Sequence, residues 1–138
     1  MCLCINKNAE FEKAEKDIVY YKVLEREKDE TFPFIHKYKT PYMGVEVKLR
    51  KRYDENEEAE LKELFFSDYI EKGVIHLFAN YDNAVDRADR TRNGCVVKAV
   101  IPKGSEYIKG YFYPAIGYSV PSIGAKSVIY KRVVYKRL

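Results

Sequence analysis

Residues 54–73 read DENEEAELKELFFSDYIEKG, and the period of this stretch decides the fold class. Leu61, Leu64, Phe65 and Tyr69 recur at helical spacing. Asp54 or Asn56 can cap the start, and the early glutamates suit the positive end of a helix. Lys72 and Gly73 supply a stop. The spacing therefore predicts a helix here, inside a chain whose other segments read mostly as strands.

On the N-terminal side, YMGVEVKLR (42–50) alternates: Met43, Val45, Val47 and Leu49 fall on one side and Tyr42, Glu46, Lys48 and Arg50 on the other. That is a half-buried strand. FPFIHKY (32–38) contains Pro33 and reads as a short edge piece. DIVYYKVL (17–24) is apolar on both alternations, the mark of a strand covered on both faces. On the C-terminal side, VIHLF (74–78) is a short buried strand. NYDNAVDRADRTRNG (80–94) predicts a second helix, with Asn80 as cap, Ala84, Val85 and Ala88 as its apolar stripe, Asp86 four residues before Arg90, and Asn93-Gly94 as its end. CVVKAVI (95–101) is a strand, PKGS (102–105) a turn and EYIKGYFY (106–113) strand-like. PAIGYSVPSIG (114–124), with two prolines and two glycines, reads as a loop.

The last segment, VIYKRVVYKRL (128–138), writes one pentad twice. A shift of five changes face along a strand, so Tyr130 and Tyr135 point to opposite sides unless a bulge intervenes. Lysine and arginine on such a segment suit a sheet edge. The expected architecture is a single α+β domain. It has a twisted, mostly antiparallel sheet of five to seven strands, with two helices on one face and the last strand along a border.

Composition bounds function. The chain has 138 residues, 46% of them apolar, with 13 Tyr, 7 Phe and no Trp. No apolar run approaches the ~18 residues of a membrane span, and the start is neither a signal peptide nor a basic presequence, so the expected location is the cytoplasm. Three cysteines, Cys2, Cys4 and Cys95, fit a reducing compartment, and with His36 and His76 they give no zinc spacing. Neither a metal nor another cofactor is expected. Net charge is +4, yet residues 1–70 carry −3 and residues 71–138 carry +7. From Lys126 onward there are five bases and no acid.

These charges make Lys126, Lys131, Arg132, Lys136 and Arg137 candidate contacts for an anionic partner, with Tyr130 or Tyr135 stacking on bases. The competing account of the same residues is a solvated strand edge. Cys2, exposed after methionine removal, has the form of an N-terminal nucleophile, but only "MC" of that pattern is present. Lys103 and Ser105 in PKGS offer a cation, a hydroxyl and turn amides to a phosphate, although no Walker loop is present. The acids of 53–63 read as a solvated helix face.

Two resemblances follow from these motifs. GVIHLFANYDNAVDRADRTRNGCVVKAVIPKGS (73–105) is similar in pattern to small ADP-ribosyltransferase-like domains, which implies a cleft for NAD or another nucleotide with Tyr21 and His76 beside it. No catalytic signature of those enzymes is present. "MCL", EKDIVYYKVLE, GVIHLF and AVIPKGSEYIKG together resemble a group of short proteins of bacteriophages and Bacteroides-type genomes, to which no activity is assigned. That resemblance implies an intracellular accessory protein of phage or mobile-element origin, and it carries over no active-site residue. The leading expectation is a binding protein with nucleic acid or a nucleotide as its anionic partner. An enzyme of the ADP-ribosyltransferase type is the alternative, and a homo-oligomer presenting tyrosines is a third class.

Overall fold

A computed structural model describes residues 3–6, 9–28, 36–41, 46–54, 61–63, 68–71, 74–115 and 118–137. In chain order the strands are β1 (Leu3–Asn6), β2 (Glu12–Lys13), β3 (Ile18–Lys28), β4 (His36–Lys39), β5 (Glu46–Val47), β6 (Arg52–Asp54), β7 (Leu61–Glu63), β8 (Asp68–Glu71) and β9 (Ile75–Phe78). The helix α1 (Tyr81–Asp89) comes next, then β10 (Gly94–Ile101), β11 (Glu106–Ala115), β12 (Tyr118–Ala125) and β13 (Ser127–Lys136). All strands join one sheet with the order β6-β13-β10-β3-β9-β12-β11-β1-β8-β7. The pairings are antiparallel, with β2 on β11, β4 on β3 and β5 on β4.

The expected α+β class is thereby corrected. Among the described residues there are thirteen strands rather than five to seven, and one helix rather than two. Within 54–73, residues 61–63 and 68–71 are strands, while 55–60, 64–67 and 72–73 lie outside the described residues. The cause is long-range pairing. Strand β1 presents an edge, and β8 fills it in the register Leu3↔Glu71 to Asn6↔Asp68. Helix propensity distinguishes ordinary residues by only ~0.7 kcal/mol each, less than a ladder with a buried neighbour supplies. Asp54 is the last residue of β6 and accepts a 2.5 Å hydrogen bond from Ser127 Oγ.

The supposed loop 114–124 is corrected too, because Tyr118–Ala125 is a strand between β11 and β9. Pro121 is tolerated there for a local reason. Its carbonyl faces β9 and accepts from Ala79 N at 3.4 Å, so its hydrogen-free nitrogen lies on that same side, just past the last β9 pair.

Strand β3 has both faces covered. Leu24 joins a core with Leu77, Cys95, Val97, Ala99, Ile101, Ile123, Ala125, Val128 and Tyr130. Residues of β9 and β12 thus pack against residues of β10 and β13, so the sheet curls round this core. It bends where Lys126 N donates to Glu106 O (3.0 Å), between β12 and β13. On the opposite face Val23, Phe78, Val96, Phe112 and Val120 meet Ala84 and Ala88 of α1. Fully burying each of the larger side chains contributes about 1.5–3 kcal/mol.

The helix follows its sequence signals closely. Asn80 stands at the cap position in extended conformation, although its side chain makes no cap bond. Asp86 and Arg90 pair at 3.4 Å. The chain leaves the helix through Asn93 in the left-handed region (φ 52). Gly94 is required next, since a Cβ there would stand 2.1 Å from Ala88 O. Gly110 is likewise required where β1 crosses, for its Cβ would meet Cys4 O at 2.3 Å.

Candidate anion-binding face

The terminal pentads explain how cations are distributed. Against β10, β13 has register shifts between Val96 and Val97 and between Lys98 and Ala99. The pairs are Tyr130↔Ala99, Arg132↔Lys98, Val133↔Val97 and Tyr135↔Val96, so Lys131 and Val134 are the extra residues. Two bulges cancel in parity. Tyr130 therefore enters the main core and Tyr135 the helix side.

This separates the sequence candidates. Tyr130 is 3% exposed, with burial holding its hydroxyl's pKa up, and cannot stack on a ligand. Tyr135 donates its hydroxyl to Asp89 Oδ1 at 2.5 Å, which fastens β13 to the helix and raises the tyrosine pKa. Lys126 lies at the far end of β13, roughly 30 Å of strand from Lys136. There it stands 3.9 Å from Glu106 and 4.6 Å above the Phe11 ring. Arg137 donates from Nη1 to Thr91 O (3.0 Å) and from its backbone to Gly94 O (2.9 Å), so it closes the C-terminal end of the helix. Lys131, Arg132 and Lys136 are exposed. No ion pair to them is found among the described residues.

The nucleotide-cleft candidates are not brought together. Ser105 N donates to Pro102 O (3.1 Å), closing a turn with Gly104 at φ 89. The amides that a phosphate would need are taken: Lys103 N donates to Asp17 Oδ1 (2.9 Å) and Gly104 N to Ala14 O (2.8 Å). This turn follows the Ile101↔Ile18 pair, about five residues of strand beyond Lys98↔Tyr21. His76 lies on β9 with its ring edge-on to Phe78 (5.3 Å) and Phe112 (5.6 Å). The side chain as a whole is half-buried, yet both ring nitrogens are shut off from water without a partner. Burial first, then Lys22 and Arg87, lower its pKa to about 3. A neutral imidazole walled in by phenyl rings has no proton route to a bound nucleotide, which removes the geometric basis for His76 as an acid–base group.

Lys22, on the opposite face of β3, is buried and donates from Nζ to His76 O (2.9 Å). Burial pushes its pKa down to about 8. Burial likewise pushes the Cys95 thiol up to about 11. Cys2 lies outside the described residues. These residues hold no group of three or more His, Cys, Asp or Glu side chains placed to bind a metal ion, and no helix long and apolar enough to cross a membrane.

What the structure does bring together is Tyr21 and Arg132. Both pair with Lys98, so Tyr21, Lys98 and Arg132 form a row across three strands on the helix side of the sheet. Sequence reasoning missed Lys98, whose signal was a single cation inside CVVKAVI, and Tyr81, the first residue of α1. The Tyr81 ring stands edge-on to Tyr21 with centroids 5.5 Å apart.

No protein-family model, curated protein or solved structure matches the chain. The reading of this face rests on its own chemistry.

Proposed function

We propose that the protein is a non-enzymatic binding or accessory protein whose partner is a polyanion, engaged through the basic second half of the chain. The observation that supports this reading is the exposure of Lys131, Arg132 and Lys136 on one strand, with no carboxylate within ion-pair distance among the described residues. Unneutralised cations release counterions from a polyanion and so favour association. The phage-type accessory role comes from the sequence resemblance and accompanies this reading.

The test is fluorescence anisotropy with a labelled nucleic acid over a salt series. Three contacts give a slope of log K against log salt of roughly −2 to −3. The triple variant Lys131→Gln/Arg132→Gln/Lys136→Gln abolishes most of the affinity and of the slope. Absent or salt-independent binding by the parent protein would refute the reading.

A further inference from the structure

The helix covers only part of the sheet face on which Arg132 lies. It starts beside Tyr21 and runs toward Gly94, against which Ala88 is packed. Val23 and Val96 are thus roofed, whereas the rows on the Asp17 side of Tyr21 lie ahead of the helix. The next row is Val19, Val100 and Ile129, in register across β3, β10 and β13. Val19 is 40% exposed and Tyr81 39% exposed, two of the three large apolar side chains described as open to solvent.

Of that row Val19 is open while Val100 is 9% exposed and buried. What this face offers is therefore the open ring of Tyr81 beside Tyr21, continued across the sheet by Lys98 and Arg132 in the same row. Tyr21 and Arg132 stand two strands apart, roughly 10 Å. An inorganic anion would use the cations and leave the open tyrosine ring idle. A duplex offers phosphates but keeps its base faces stacked inside. A single strand offers both, since its bases stack on aromatic rings while its phosphates meet lysine and arginine.

We propose that this face binds single-stranded nucleic acid, with a base on Tyr81 and the backbone along Lys98 and Arg132. The proposal rests on the polyanion reading above and specifies its partner. Cation contacts set the salt dependence, and the tyrosine contributes a term that salt does not change.

The experiment compares an oligothymidylate of about 12 nucleotides with a duplex of the same length. Six proteins are used: the parent, Tyr81→Ala, Tyr81→Phe, Arg132→Gln, Lys98→Gln and the triple cation variant above. Tyr81→Ala is expected to weaken single-strand binding roughly fivefold or more without changing the salt slope. Tyr81→Phe keeps the ring and stays near the parent. Arg132→Gln lowers the slope by about 0.7. Lys98→Gln, outside the helix, gives the same slope change and keeps the test sound should Tyr81→Ala fail to fold. Parent-like binding by folded Tyr81→Ala, or tighter binding of duplex than of strand, overturns the platform. If in that case the triple cation variant has still lost binding, the polyanion reading survives. If the parent binds no nucleic acid at any salt, both fall.

Discussion

Replacing Lys22 by methionine isolates the energetic burden of one buried cation. The amine is enclosed by the core on the inner face of β3 and contacts His76 O, and burial lowers its pKa from 10.5 to about 8. The unfolded chain thus binds this proton more tightly than the folded one. At pH 7 that difference of about 2.5 pH units costs the native state about 3 kcal/mol. The deficit is fully present below about pH 8 and is relieved as pH rises toward 10.5, because the unfolded state carries the extra proton throughout that window. Methionine matches the length of the stem and carries no charge, although it leaves the His76 carbonyl without this donor, at a cost of about 1–3 kcal/mol. Lys22→Met is therefore expected to equal or exceed the parent in stability at pH 7. Across about pH 7 to pH 10 its stability relative to the parent should fall by about 2–3 kcal/mol. Urea unfolding of both proteins at pH 7, 8, 9 and 10 measures this, and the comparison cancels the tyrosines and Cys95, which titrate in both. A difference in stability that stays flat across the range would refute a desolvated Lys22.

Two further outcomes follow from packing and burial. Gly94→Ala puts a methyl 2.1 Å from Ala88 O, so the helix or β10 must move, and a loss of about 1–3 kcal/mol is expected in urea unfolding. With its pKa at about 3, the His76 ring stays neutral, and its proton resonances should not shift between pH 5 and pH 8; a midpoint near 6.5 would contradict the enclosure of the ring.

Local patterns were legible wherever neighbours in sequence decide the outcome. The doubled apolar alternation of residues 17–24 specifies a strand covered on two faces, and β3 lies between the core and the helix. The Asp86–Arg90 spacing and the Asn93-Gly94 exit specify α1 and its end. Segments whose fate depends on distant partners were not legible. Residues 61–63 and 68–71 pair because β1 leaves an edge open, and Tyr118–Ala125 is drawn straight by β9 and β11. The site divides in the same way. Tyr21 and Arg132 stood out individually by residue type, but only the register of both with Lys98 sets them in one row. The pentad repeat was a poor guide to stacking, since cancelling bulges send Tyr130 inward.

The position of β10 has a consequence for how the molecule is made. Its two neighbours are β3, near one end of the sequence, and β13, near the other. Synthesis must therefore run through β13 before β10 acquires its second flank. Until then the valine-rich segment 95–101 has a bare side that any passing extended chain can occupy. Such long-distance assembly favours slow maturation, on the scale of milliseconds to seconds, and gives holding chaperones an opening during synthesis.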